Sequence, residues 1–395
     1  MLPNKLSIIF VLTVSATLFG CGKTETQTAS SGNTAELVVK IGASAPLTGP
    51  QAHIGKDNEN GTRMAIEDAN AKGVIIGGKK VRFELLSEDD QADGKTATIV
   101  AQKLVDAKVN GVIGHLNSGT TVPASRIYSD NGIPQISPSA TSIAFTTQGF
   151  KTAFRVMTND AQQGKVLGDY AVKKLSAKKI AVIDDRSIYG QGIADEFVKS
   201  AQANGAQIIA REYTTDKSVD FATVLTTIKS KQPDLIFYGG MDPQGSPMVK
   251  QLRGLGMKTQ FMMGDGGYTP KFIENAGGAA EGAYASLPGM PLDIMPGGRD
   301  FATRYEAQFK QPIQLYAPFC YDAVNVMIAA MQKAGSAEPA KYLPELGKVV
   351  FDGVTAKIAF DEKGDLKGGA VTMYQVRQGK WQVVETIGGV APVAK

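Results

Sequence analysis

The sequence predicts an α/β protein built from two doubly wound, parallel-sheet lobes. Short β-rich runs alternate with longer segments of helical period from Leu37 onward, and the same rhythm restarts after Asp160. A chain of 395 residues also exceeds what one hydrophobic core ordinarily organises. Strand–helix alternation of this kind belongs to parallel sheets covered on both faces.

Taken in order, "LVVKIGA" reads as a strand, "NENGTRMAIEDANAKG" as a helix stopping at Gly73, and "VRFELL" as a second strand. "GKTATIVAQKLVDAKVNG" sets Ala97, Val100, Ala101, Leu104 and Val105 on one helical face, with Gly111 beyond its end. "GVIG" and "IPQIS" follow as strands around a helix starting near Thr121. The second half repeats the pattern. "KIAVID", "AQIIA", "DLIFYGG" and "TQFMMG" are strands, and "GIADEFVKSAQANG" and "FATVLTTIKSKQ" are helices. The tail from Thr355 to Ile387 changes to apolar–polar alternation about turns at Lys363-Gly364 and Gln378-Gly379, as in antiparallel strands. Trp381, the sole tryptophan, lies in that pattern and is expected to be structural.

Hydrophobic residues are 43% of the chain, charged residues 20%, and the formal net charge is +4, the profile of a soluble globular protein. Basic residues are scattered, without the stripe or stacking aromatics of a nucleic-acid reader, so no nucleic-acid partner is expected. At the N-terminus, Lys5 precedes an apolar run from Leu6 to Phe19, too short for a spanning helix, which identifies residues 1–20 as a secretory signal peptide. Leu18-Phe19-Gly20-Cys21 resembles the lipobox of bacterial lipoproteins, which makes Cys21 the expected lipid attachment site and the chain's only membrane contact. The polar residues 21–36 then serve as a flexible tether. Ordinary cleavage nearby, leaving a freely soluble periplasmic chain, is the alternative. Cys320, the other cysteine, sits between Phe319 and Tyr321 and reads as a small buried hydrophobe.

Ligands of open parallel α/β sheets lie beyond the carboxyl ends of the strands. That rule selects the loop with His53 and Ile54, the stretch "VIGHLNSGTTVPASRIY" with Ser118, and Ser139-Ala140-Thr141 in the first half. In the second half it selects the loops with Tyr189, Met241 and Asp265. The first set offers hydroxyls and helix N-terminal N–H groups around Thr120 and Thr121, suited to a carboxylate. The second offers a negative charge in Asp265, and the two together describe a receptor for a zwitterion. An enzyme is the rival class. Only two histidines are present, and no GxSxG, HExxH or P-loop pattern occurs. Ser176-Ala177-Lys178-Lys179 fits SxxK but lies in a basic connection read as a solvated face. Glu88-Asp89-Asp90 reads as a strand end beside a helix cap rather than a metal set, and His115 as a structural histidine. His53 borders the presumed cleft, where ligand contact and an ordinary loop role stand level.

The segments "PLTGPQAHIGKDNENG", "VIGHLNSGTTVPASRIYSDNGIPQISPSAT", "YGQG", "FYGGMDP", "QFMMGDG", "YAPFCYDAV" and "FDEKGDLKG" fall in order along residues 37–395. With them the chain resembles the leucine/isoleucine/valine-binding proteins of bacterial ABC transporters, which have the type I periplasmic binding protein (Venus-flytrap) fold. The resemblance implies residues 37–158 and 289–369 as lobe 1, residues 159–288 and 370–395 as lobe 2, and three crossovers near Thr158-Asn159, Pro288-Gly289 and Gly369-Ala370. It implies an aliphatic L-amino acid clamped by hinge closure, delivery to the membrane subunits of an ABC permease, a monomer, no cofactor, no metal and no catalysis. It places Ser118 at the ligand carboxylate, Ser139 and Thr141 at carboxylate and ammonium with Ala140 between them among the ligand-binding residues, and Asp265 at the ammonium, one methylene shorter than the family's usual glutamate. Tyr189, Met241, Ile54 and Tyr316 fall at side-chain or lining positions, and Ala92 and Asn117 stand where some members carry a cysteine pair. The same fold senses amides, urea or aromatic acids in related proteins, which is the second expectation for the ligand.

Overall fold

The computed structural model describes residues 36–389, and the signal, lipid-attachment and most of the tether assignments lie outside them. Strands β1 (Leu37–Ala45), β2 (Ile75–Ile76), β3 (Lys79–Asp89), β4 (Gly111–Gly114), β5 (Gln135–Ser137) and β6 (Ala153–Arg155) form one sheet in the order β2-β3-β1-β4-β5-β6. The chain then enters a second sheet with β7 (Lys179–Asp184), β8 (Gln207–Tyr213), β9 (Leu235–Gly239), β10 (Gln260–Met263) and β11 (Tyr284–Pro288). It returns to the first lobe through helices Gly298–Phe309, Ala317–Ala334 and Pro339–Leu346 and a small hairpin, β12 (Val350–Asp352) and β13 (Lys357–Ala359). Finally β14 (Ala370–Arg377) and β15 (Lys380–Gly388) add to the second sheet, which runs β15-β14-β11-β10-β9-β7-β8. Three passages between sheets result, and the fold is the expected pair of doubly wound lobes.

The parallel cores share one winding. β3-β1-β4-β5-β6 and β8-β7-β9-β10-β11 are the same order with the numbers shifted, so each lobe reverses direction once, at β1/β4 and at β7/β9. Ligand crevices open at such switch points. Strands buried on both faces are the reason the sequence shows near-continuous apolar runs here, as in Ile180–Ile183 and Leu235–Tyr238, all 0% exposed. The antiparallel tail is likewise found: Phe360 bridges Leu366 around Lys363-Gly364, and β14 pairs β15 around Gln378-Gly379. Trp381 donates its indole N–H to the carbonyl of Thr269 (2.9 Å), a packing role.

Some elements begin where periodicity does not reveal them. The first helix is Ala52–Lys72, starting six residues before the expected Asn58, so His53 and Ile54 stand on its first turn rather than in a loop. Its Gly61 lets helix Ala317–Ala334 approach closely, because a Cβ there would collide with the Ala317 backbone. The helix after β4 starts at Ser118, three residues before Thr121. Helix Asp160–Lys173, which opens the second lobe, announces itself only by a capping box: Asn159 accepts from Gln162 N–H and the Gln162 side chain returns to Asn159 N–H.

Candidate functional site

Every cleft residue expected from the sequence except Tyr316 sits at the carboxyl end of a strand or at the start of the helix that follows it. His53 and Ile54 follow β1, Ser118 follows β4, and Ser139-Ala140-Thr141 follows β5. Tyr189 follows β7, Met241 caps the helix after β9, and Asp265 opens a short 3₁₀ turn after β10. Tyr316 comes from the returning segment, at the N-cap of helix Ala317–Ala334. Ser118, Ser139, Ala140, Thr141, Tyr189, Met241, Asp265, Ile54 and Tyr316 are all buried, so the lobes are drawn together over the site.

On the first-lobe side, Ser118 Oγ accepts from the N–H of Ser142 (3.1 Å), which leaves its own proton free for an acceptor in the cleft. Ser139 donates its hydroxyl to Leu116 O (3.0 Å), and Ala140 and Ser142 lend their carbonyls to Arg155 (2.7 and 2.9 Å). Arg155 is 0% exposed and also pairs with Asp365 (2.7 Å), so the Ser139–Ser142 loop is fixed from behind. The hydroxyl of Thr141 is buried without a hydrogen-bond partner. One detail departs from expectation: the N–H groups of Thr120 and Thr121 are spent on the carbonyl of Asn117 (3.1 and 2.8 Å). Because the helix starts at Ser118, the first-turn donors left without a partner among the described residues are those of Ser118 and Gly119.

On the second-lobe side, Asp265 is held by two tyrosines. The hydroxyl of Tyr189 donates to Oδ1 (2.7 Å) and that of Tyr316 to Oδ2 (2.5 Å). Both residues, expected at side-chain or lining positions, turn their hydroxyls to this carboxylate. Gln163 accepts from the Asp265 N–H (3.0 Å) and from the Ser286 hydroxyl (2.6 Å), and its amide nitrogen is buried without a partner. Burial raises the Asp265 carboxyl above its ordinary value, partly opposed by the tyrosine hydroxyls. His53 turns to the second lobe, its Nε2 lying 2.9 Å from Asp242 Oδ2.

Sequence reasoning missed Asp160. It opens helix Asp160–Lys173, donates its N–H to the Thr141 carbonyl (2.8 Å), and is 1% exposed with both carboxylate oxygens unpartnered. Burial, reinforced by the charge of Asp265, pushes it up to about 7. Asp160 and Asp265 thus set two enclosed carboxyl groups close to each other, where each disfavours the charge of the other. Asp57 was missed as well. It is 1% exposed and accepts from the N–H groups of Gln314, Leu315, Tyr316 and Ala317 (2.8–3.0 Å) and from the Tyr305 hydroxyl (3.0 Å). It therefore fixes Tyr316 without touching the cleft. His115 is scaffold, as expected: it is buried between Asp90 (2.8 Å) and Tyr128 (3.0 Å). Asp89 is used by the N–H groups of Leu47 and Gln91.

The profile of the periplasmic binding protein family matches residues 38–380. A leucine-, isoleucine-, valine-, threonine- and alanine-binding protein of Pseudomonas aeruginosa is 33% identical over 337 residues, 85% of this chain and 89% of that protein. A leucine-specific-binding protein of Salmonella typhimurium is 35% identical over 337 residues, 85% of this chain and 90% of that protein. Among solved structures, the branched-chain amino acid transporter substrate-binding protein of Streptococcus pneumoniae, in complex with isoleucine, superposes with a TM-score of 0.81. It is 28% identical and covers 89% of this chain and 99% of its own.

Proposed function

The chain belongs to the periplasmic binding protein family, and from that premise we propose that it captures an aliphatic L-amino acid between its lobes and presents it to the membrane subunits of an ABC permease. The observation that carries this reading is the opposition of chemistries across one buried cleft. A free serine hydroxyl, an unpartnered threonine hydroxyl and helix N-terminal N–H groups stand on one lobe, and the two enclosed acidic groups Asp160 and Asp265 on the other. Ser118, Thr141 and the N–H groups of Ser118 and Gly119 bind the ligand carboxylate. Ser139 and Ala140 shape that loop. Asp160 and Asp265 bind the ammonium, and Ile54 and Met241 wall the aliphatic side chain. Lobe boundaries at residues 158, 288 and 369 act as the hinge.

The names of the relatives support the amino-acid class. The protein acts as a binding protein rather than an enzyme and works as a monomer. It is exported and held to the membrane by lipid at Cys21, and among the described residues no helix is long and apolar enough to cross a membrane. Calorimetric titration against L-amino acids, amides and aromatic acids tests the reading: heat with leucine, isoleucine or valine is expected. Heat only with an amide or an aromatic acid would transfer the site to another ligand class.

The cleft also sets a pH dependence. In the closed, ligand-free protein Asp160 titrates near 7, against 3.8 for the free carboxyl, so the folded chain holds a proton that the unfolded chain has lost. Stability of that state therefore falls as pH rises from about 4 to about 7. The nearby Thr141 hydroxyl and, more weakly, Arg155 favour the Asp160 carboxylate, while Asp265 and Glu196 oppose it, and Tyr189 and Tyr316 stay neutral throughout this range. An arriving ammonium ionises Asp160, so binding releases a proton and tightens as pH rises, levelling above about 7. Calorimetry at pH 6 in buffers of different ionisation enthalpy should show this release, and Asp160→Asn should reduce it.

A further inference from the structure

We infer that His53 and Asp242 form a latch across the mouth of the cleft, a pair of positioning residues that favour the closed form and fix the spacing between Ile54 and Met241. The role of those two walls rests on the proposed function; the latch itself does not.

His53 stands on the first turn of helix Ala52–Lys72 in the first lobe, and Asp242 opens helix Asp242–Gly254 in the second. Their contact of 2.9 Å and that of Tyr316 with Asp265 are, among the described residues, the side-chain hydrogen bonds that join the lobes away from the crossovers. The two differ in kind. Tyr316 and Asp265 are both fully enclosed, whereas the His53 side chain remains 19% exposed, which puts its contact at the rim.

The energetic weight of the pair comes from Asp242. Its side chain is 0% exposed, and among the described residues its Oδ2 accepts only from His53 and the Thr269 hydroxyl (2.9 Å) and its Oδ1 has no partner. Enclosing a carboxylate in this way is unfavourable unless a donor compensates for the lost water. His53 supplies that donor from the opposite lobe, and only when the lobes meet. Opening separates the pair and returns both groups to solvent. Without His53, closure encloses an under-satisfied carboxylate, and the equilibrium moves towards the open form. Since closure retains the ligand, the loss registers chiefly as faster release. Ile54 and Met241 are the chain neighbours of the pair and are 0% and 6% exposed, so holding His53 against Asp242 holds the two walls in register.

The test combines two readouts on the full mature chain. A fluorophore pair, one on each lobe, reports the mean separation in the ligand-free protein, and stopped-flow mixing reports binding and release of L-leucine. His53→Ala is expected to lengthen the ligand-free separation, speed leucine release about tenfold with little change in association, and lower the leucine-over-alanine preference. His53→Gln, whose amide still donates to Asp242, should restore separation and release to within about threefold of wild type. His53→Ala combined with Asp242→Asn should be no worse than the more severe single change. Separation and release unchanged in His53→Ala, or effects that multiply in the double variant, would overturn the latch. A wild-type protein that binds none of the amino acids, beside a His53→Ala variant that still opens, refutes the amino-acid reading and keeps the latch.

Discussion

Asp265→Ala is expected to weaken binding of L-leucine by roughly a hundredfold or more while leaving the fold intact. The carboxylate is enclosed and shared by two tyrosine hydroxyls from opposite lobes, so an ammonium placed against it is shielded from water. Truncating one partner of such a buried charge pair typically costs about 2–5 kcal/mol. Asp160 remains in the variant and keeps the site anionic, which places the loss towards the lower half of that range. Removing Asp265 also releases the Tyr316 hydroxyl from the second lobe and with it one of the contacts that close the cleft. Calorimetry gives the affinity, and the circular dichroism melt shows whether the fold survives. An affinity within threefold of wild type would mean that the ligand has no ammonium at this position.

Asp57→Ala should produce the largest loss of stability among the changes considered, about 3–5 kcal/mol, together with loss of ligand affinity. Four consecutive N–H groups and the Tyr305 hydroxyl converge on this carboxylate. Cutting it to a methyl leaves them buried without an acceptor, and each such orphan is costly. The segment they belong to leads directly into Tyr316, so its disorder removes a donor from Asp265 at a distance. Urea titration measures the first effect and calorimetry the second. A variant with wild-type stability would show that other acceptors replace Asp57.

The pattern of strands and helices was legible because buried parallel strands need continuous apolar runs and amphipathic helices need their period. That pattern, with the switch-point rule, is enough to set Ser118, Thr141 and Asp265 at the carboxyl ends of their strands. Helix starts were less legible. The turn Ala52–Gly55 carries a glycine and a histidine, and its one large apolar residue, Ile54, is too little to set a helical period before the turn packs against Pro46. That error kept His53 in a loop and hid its reach to Asp242. Asp57 and Asp160 were invisible for a different reason. Each is a charged residue on a helix, the ordinary signature of a solvated face, and only tertiary packing shows them enclosed. Tyr189 and Tyr316 meet at Asp265 in the structure, and a sequence does not tell whether a tyrosine offers its ring or its hydroxyl.

The central claim is that one buried cleft clamps both ends of a zwitterion. It is tested most directly by titrating the protein, side by side, with L-leucine, with 4-methylpentanoic acid, which lacks the ammonium, and with isopentylamine, which lacks the carboxylate. Clear binding of leucine is expected, with binding of either analogue weaker by at least about a hundredfold, since each leaves one buried polar set unpaired. Equal affinity for leucine and 4-methylpentanoic acid would contradict it.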